Sequence, residues 1–177
     1  MISLVESRRL PASAEQVWRL FEEMDRHYLD VHPEHLRWRT LRGRPLAVGT
    51  VWFADEWVGS MRISSRFFVT DADQGRFFTY RIGFPASLGR AGGSFRFEPT
   101  TSGECEVIEE VHFGFKAPLL GRLVDVVLAL VLPVREMRRH MREEQQNLAA
   151  LLEAGIASPG AGSTPHSDTT KGVADGG

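Results

Sequence analysis

Residues 61–69 read MRISSRFFV, and the alternation of apolar and polar side chains along them decides the fold of this 177-residue chain. Side chains of a strand point to opposite faces in turn, so alternation places the apolar set on one side of a sheet. That set is Met61, Ile63, Phe67 and Val69. Residues 76–84, RFFTYRIGF, alternate in the same way. A sheet with one apolar face needs a cover from another element.

The same kind of sequence extends through the middle of the chain. Six stretches rich in aromatic and β-branched residues are separated by Gly, Pro and Asp turn signals, and their lengths are those of strands. We therefore predict an antiparallel meander over Leu36–Leu41, Thr50–Val58, Met61–Val69, Arg76–Phe84, Gly93–Glu98 and Glu104–Phe115. An additional first strand is predicted at Ile2–Leu10, ended by Pro11.

One short helix is expected directly after the first strand. Ser13 can accept a hydrogen bond from the third helical amide while Gln16 reaches back, which is a capping box. From Asp25 to His35 the helical pattern fails and Pro33 interrupts it, so this histidine-rich segment is predicted as a loop or a short broken helix.

A long C-terminal helix, roughly Leu119–Ala154 with a kink at Pro133, is the predicted cover of the sheet. The order strand, short helices, meander, long helix predicts an α+β helix-grip fold, in which a curved antiparallel sheet of six to seven strands wraps around that helix. The apolar run Leu123–Val134 is too short for the roughly 20 residues of a membrane span. The predicted domain ends near residue 155, and residues 156–177 lack periodicity and are expected to be a disordered tail.

Composition excludes some partners and favours a compartment. The formal charge of -2 and the absence of a basic motif with interleaved aromatics argue against a nucleic-acid partner. The chain has one cysteine, and its N-terminus lacks a signal-peptide pattern, so we expect a cytoplasmic location. A cavity under the helix predicts a small hydrophobic or aromatic ligand.

Two ionisable residues lie on the apolar face of the predicted last helix. At 100° per residue, His140 and Glu144 share a stripe with Met137, Leu148 and Leu151. A buried carboxylate is costly without compensation, and a metal ion would supply it. Residues i and i+4 are close enough for both side chains to reach one ion. A simple hydrogen-bonded pair at the edge of the stripe explains the pattern equally well.

Further ligands are expected opposite that helix. Glu56 shares a strand face with Trp52, although both faces of this strand are apolar and a slip of one residue would bring Asp55 inward instead. The histidine-rich loop offers His27, His32 and His35, and His35 is preferred because it directly precedes a strand. Glu109 also alternates inward, although a carboxylate at the open end of the cavity or paired with an arginine fits the same pattern. Trp52, Glu109 and Met137 are the predicted cavity residues.

The motifs HPEH (32–35), DEWVG (55–59) and HMREE (140–144) together resemble the zinc-dependent diacetylphloroglucinol hydrolase group. That group belongs to the START-like, polyketide cyclase and lipid-transport superfamily, which has the helix-grip fold. The resemblance implies metal ligation by His35, Glu56, His140 and Glu144.

Two His and two Glu ligands suit zinc, and also iron or manganese, and zinc is implied by the resemblance alone. The expected activity is hydrolysis of a carbon–carbon bond in an acylated aromatic or diketone compound, with Tyr28 and His32 as proton donors. A non-catalytic carrier of hydrophobic ligands and a metal-free polyketide cyclase or dehydrase are the alternatives.

Overall fold

The computed structural model describes residues 1–83, 90–114 and 132–155. Within them the chain forms seven strands and three helices. In chain order these are β1 (Ile2–Leu10), α1 (Ala14–Glu22), α2 (Met24–Val31), β2 (His35–Arg42), β3 (Val51–Val58), β4 (Met61–Asp73), β5 (Phe77–Ile82), β6 (Gly92–Pro99), β7 (Cys105–Phe113) and α3 (Val134–Glu153).

All seven strands belong to one antiparallel sheet with the order β1-β7-β6-β5-β4-β3-β2. The meander runs from β2 to β7, and β1 then pairs with β7, so β2 lies at an edge of the sheet. The predicted fold class is therefore confirmed, and the β1 bounds agree with the sequence pattern. Strand β4 is four residues longer than predicted, and its register on β5 shifts between Val69 and Asp71.

The predicted capping box is present at the start of α1. The Gln16 amide donates to Ser13 Oγ, and the Ser13 amide donates to Gln16 Oε1. The histidine-rich segment is more regular than expected, because Met24–Val31 forms α2 without a side-chain cap, and α2 packs on β2.

The last helix begins at Val134, with Pro133 as its N-cap residue. The expected kink within a continuous helix is therefore wrong for the described residues, since the proline precedes the first helical turn. Proline has no amide hydrogen and is tolerated at the start of a helix. The predicted helical residues 119–131 lie outside the described residues, as do Phe84, Phe115 and the predicted tail at 156–177.

The core lies between the inner face of the sheet and the helices. Phe78, Phe97, Trp18 and Phe21 are buried, and their rings meet mostly edge-on or tilted at centroid distances of 5.3–6.2 Å. This aromatic cluster packs α1 against β5 and β6. Helix α3 crosses the sheet and contacts β1, β3 and α2. The space left beneath α3 is a cavity.

A candidate metal centre beside an apolar cavity

The cavity has a volume of about 140 Å³. A single water molecule needs roughly 10–15 Å³ on the same measure, so the space is large enough for a small organic molecule. Its described walls are mostly aromatic and aliphatic, and Trp52, Glu109 and Met137 are among them, as expected. The polar side chains in these walls are Tyr28, His35, Glu56, Tyr80, Glu109, His140 and Glu144.

Four of these polar groups converge on one point. Donor atoms of His35, Glu56, His140 and Glu144 all lie within 4.8 Å of one another. Three elements bring them together: β2 and β3 place His35 opposite Glu56 in register, and α3 places His140 one turn before Glu144. The residues that were predicted to meet from separate motifs are therefore neighbours.

Both imidazole rings are oriented by their Nδ1 atoms. His35 Nδ1 lies 2.7 Å from the Tyr28 carbonyl oxygen, and His140 Nδ1 lies 3.2 Å from Glu34 Oε2. A carbonyl or carboxylate oxygen only accepts, so Nδ1 carries the proton in each ring. The Nε2 atom of each neutral ring then bears the lone pair that binds a metal.

The two Nε2 atoms are buried and have no hydrogen-bond partner among the described residues. His35 Nε2 lies 2.9 Å from Glu144 Oε1, but the direction is not that of a hydrogen bond. Buried polar atoms without partners are rare in native proteins and call for an explanation. Two such atoms facing two carboxylates are the arrangement expected of ligands without their ion.

Three of the donor spacings can be compared with those around a four-coordinate divalent ion. Ligands at 2.0–2.2 Å in a tetrahedron lie about 3.3–3.6 Å from one another. His35 Nε2 is 2.9 Å from Glu144 Oε1 and 3.4 Å from Glu56 Oε2, and His140 Nε2 is 3.9 Å from Glu144 Oε1. The site also accepts iron or manganese by donor type. The residues present thus fit a divalent metal.

The electrostatics of the cluster are those of a site with excess negative charge. Burial, followed by the charge of Glu144, raises the pKa of Glu56. Burial also raises the pKa of Glu144, but the neighbouring His35 and His140 outweigh it and lower that pKa. Burial lowers the pKa of His35. The close contact with Glu144 and the charges of Glu144 and Glu56 raise it by more, so the pKa of His35 is raised overall. No arginine or lysine lines the described walls, so cationic compensation has to come from elsewhere.

Tyr28 connects the α2 helix to this cluster. Its hydroxyl donates a hydrogen bond to Glu56 Oε2, and its ring stacks on His35 at a centroid distance of 3.8 Å. Burial and the negative charge of Glu56 raise the pKa of Tyr28, so its hydroxyl keeps its proton at neutral pH. Tyr28 therefore fixes two candidate ligands and presents a proton at the cavity wall.

His32 lies beside the cluster, with a ring nitrogen within 4.8 Å of donor atoms of His35 and His140. Its Nδ1 accepts a hydrogen bond from the Glu34 amide at 3.1 Å, and its Nε2 lies 3.0 Å from Glu143 Oε2. Both ring nitrogens thus have partners, and His32 is not part of the cavity lining. The His32 and His140 rings are 4.0 Å apart between centroids, and the role of His32 as a proton donor stays a prediction.

The choice between Asp55 and Glu56 depends on the strand face. Glu56 faces the cavity, whereas Asp55 accepts two hydrogen bonds from Arg62 at 2.8 and 2.7 Å on the other side of the sheet. The hydrogen bonds from Arg62 lower the pKa of Asp55.

Two functional residues were not predicted from the sequence. Glu34 orients His140, and Gln145, which is 1% exposed, donates to Glu109 Oε2 at 3.4 Å. Glu34 is in the quoted HPEH motif, which was the one available signal for it.

The fold places the chain in the class of helix-grip proteins. TTHA0849 from Thermus thermophilus is similar with a TM-score of 0.66 at 14% identity, covering 87% of this chain and 99% of that one. The Zhui aromatase/cyclase from Streptomyces sp. R1128 is similar with a TM-score of 0.63 at 15% identity, covering 88% and 95% of the two chains. CV1439 from Chromobacterium violaceum has a TM-score of 0.57 at 17% identity, with coverages of 85% and 97%.

The family model for polyketide cyclase / dehydrase and lipid transport matches residues 1–153, and the chain belongs to that family. Among curated protein sequences, none is significantly similar to it. In the described part of the chain, no helix is both long and apolar enough to cross a bilayer.

Proposed function

We propose that this protein is a metal-dependent hydrolase, with zinc as the metal, that cleaves a carbon–carbon bond of a small acylated aromatic or diketone compound in its cavity. The observation that carries the proposal is the convergence of two buried Nε2 atoms, which lack hydrogen-bond partners among the described residues, with the carboxylates of Glu56 and Glu144.

The proposed ligands are His35, Glu56, His140 and Glu144. Two neutral imidazoles and two carboxylates balance the charge of a divalent ion, which would otherwise be unfavourable in an apolar cavity. When bound, such an ion lowers the pKa of a water molecule and polarises a ketone oxygen. Glu34 and the Tyr28 carbonyl hold the two rings in the tautomer that ligation requires.

The remaining residues supply shape and a proton. Trp52 and Phe67 stack at a centroid distance of 5.8 Å in the wall of the cavity and offer a flat apolar surface to an aromatic ring. Hydrolysis between an acyl group and a ring adds hydroxide to the acyl carbon and returns a proton to the ring carbon. Tyr28 is the proposed source of that proton, because its hydroxyl is protonated and lies at the cavity wall.

Elemental analysis of tag-free protein tests the proposal. We expect about one zinc, iron or manganese per chain in the wild type, lost in His140→Ala and in Glu56→Gln. His27→Ala and Asp55→Asn are matched controls, because His27 lies outside the cluster and Asp55 is adjacent to Glu56 but faces outward. Absence of metal from wild-type protein after reconstitution would overturn the proposal.

The largely apolar cavity supports one alternative, a non-catalytic carrier of hydrophobic compounds, and family membership supports a metal-free cyclase or dehydrase. A hydrophobic compound that co-purifies with metal-free protein would favour the carrier. Turnover of a polyketide substrate that is unaffected by chelators would favour the cyclase or dehydrase.

A further inference from the structure

A second group of polar side chains lies in the cavity, on strands that carry no candidate metal ligand. Glu109 on β7 and Tyr80 on β5 both line the cavity and are 4% and 9% exposed. In the sheet, β4 separates β5 from β3, the strand of Glu56. The two groups thus reach the cavity from different strands than His35 and Glu56 do.

These side chains have few partners within the protein. Among the described residues, Glu109 has a single long hydrogen bond, from Gln145 Nε2 at 3.4 Å, and no ion pair. The Tyr80 hydroxyl has no hydrogen bond with any described residue. A buried carboxyl group and a buried hydroxyl are both costly to leave unpaired, and a ligand that fills the cavity can pair with them.

The backbone makes room for this arrangement at Gly93. Gly93 lies between Tyr80 and Val111 in the register of β5, β6 and β7. A Cβ atom at Gly93 would lie 2.5 Å from the Tyr80 hydroxyl oxygen, so the absence of a side chain lets that hydroxyl lie over β6. Phe95, two residues after Gly93 on β6, pairs with Glu109 on β7. The hydroxyl therefore leans towards the strand that carries Glu109.

Gln145 holds the carboxyl group in place. Its Nε2 also donates to the Glu6 carbonyl oxygen at 3.4 Å, so two oxygens fix the direction of the amide. Burial, followed by the charge of Glu144, raises the pKa of Glu109, which agrees with a carboxyl group that lacks a cationic partner.

We infer that Glu109 and Tyr80 form a second polar anchor, which is distinct from the four candidate metal ligands and binds a hydroxyl group on an aromatic ligand. This rests on the proposed function in that it describes the other end of the same ligand. The ligand class is therefore an aromatic compound that carries a ring hydroxyl, which donates to Glu109 and accepts from Tyr80.

The test compares two probes that differ in one group, 4-ethylphenol and 4-ethyltoluene, by isothermal titration calorimetry. A purely apolar cavity prefers the toluene, because burial of an unpaired hydroxyl is unfavourable. With the anchor, we expect wild-type protein to bind the phenol at least about fivefold more tightly, the effect of one to two hydrogen bonds. Tyr80→Phe and Glu109→Met should each reduce that ratio at least about threefold, and the double variant should prefer the toluene.

Glu110→Gln is the matched control, since Glu110 is the next residue on β7 and accepts from Ser3 on the exposed side of the sheet. It should keep the wild-type ratio. Thermal unfolding verifies that each variant is folded. If Glu109→Met is not folded, Tyr80→Phe is conservative enough to serve as the test alone.

The inference is overturned if wild-type protein prefers the toluene or binds neither probe. It is also overturned if the variants keep the wild-type ratio, or if Glu56→Gln abolishes the preference while Tyr80→Phe does not, because the phenol would then bind at the metal cluster. Metal content measured on the same samples separates the two proposals: a phenol preference that depends on Glu109 in metal-free protein supports the anchor while the hydrolase proposal fails.

Discussion

The substitution Glu56→Gln is expected to change stability in opposite directions with and without metal. In metal-free protein, burial and the charge of Glu144 raise the pKa of Glu56. A group whose folded-state pKa is raised contributes stability below its unfolded pKa, near 4.5, and loses that contribution as the pH rises through the folded value. At pH 7.5 the carboxylate therefore weakens the metal-free fold, and the neutral glutamine should raise its unfolding midpoint.

With metal the sign reverses. The candidate ligands are 109 residues apart in sequence, from His35 to Glu144, so the unfolded chain offers no comparable site. A ligand that binds only the folded state, at a free concentration one hundred times its Kd, raises the free energy of unfolding by about 2.7 kcal/mol. At roughly 2–4 °C per kcal/mol for a domain of this size, wild-type protein should gain about 5–11 °C in Tm. Glu56→Gln should gain at most a small part of that.

Differential scanning fluorimetry of chelator-treated protein, with and without zinc, measures both effects. Asp55→Asn is the control, and it should keep the full zinc-dependent increase because Asp55 pairs with Arg62 outside the cavity. The reasoning is refuted if zinc raises the Tm of Glu56→Gln as much as that of wild-type protein. A decrease in the metal-free Tm of Glu56→Gln at pH 7.5 would refute the electrostatic argument separately.

Two further predictions concern contacts of the site, and a third concerns the ion pair on the opposite face of the sheet. Glu34→Gln should weaken zinc affinity by about 10–100-fold in a chelator competition assay, because the carboxylate that orients His140 is lost while all four ligands remain. Tyr28→Phe should retain most of its metal in elemental analysis, because the ring that stacks on His35 remains, yet lower kcat on an acylated aromatic ketone. An unchanged kcat at full metal content would contradict the role of Tyr28 as a proton source. Because Arg62 lowers the pKa of Asp55, that pair stabilises the fold above the unfolded pKa near 3.8 and is lost as the pH falls through the folded value. The urea midpoint of Asp55→Asn should therefore approach that of wild-type protein at about pH 3 and be lower at pH 7, and equal differences at both pH values would contradict this.

Much of the fold could be predicted because its local signals agree. Alternation in residues 61–69 specifies a face without any tertiary information, and Ser13 with Gln16 specifies a helix start through contacts three residues apart. The start of α3 is a different case. Pro133 is compatible with either a kink or an N-terminus, and the choice depends on packing around it.

The site was predictable to the extent that it follows a regular period. His140 and Glu144 could be paired because a helix places residues i and i+4 together. Glu56 could be separated from Asp55 only when the strand was seen in its sheet, because both faces carry apolar residues. Glu34 precedes β2 in an irregular segment, where no period indicates the direction of a side chain, and Gln145 interacts with a residue 36 positions away.

The placement of His35 on β2 has a consequence for local motion. An edge strand has one neighbouring strand, so its amides exchange with solvent more readily than those of the sheet centre. His35 lies on the edge strand β2 and Glu56 on its neighbour β3. An ion that these residues share with α3 would hold this edge of the sheet against the helix. Amide hydrogens of Trp38–Arg42 should therefore exchange more slowly in zinc-loaded protein, while those of β6 should be unaffected. The metal would then reduce local opening of the β2 edge.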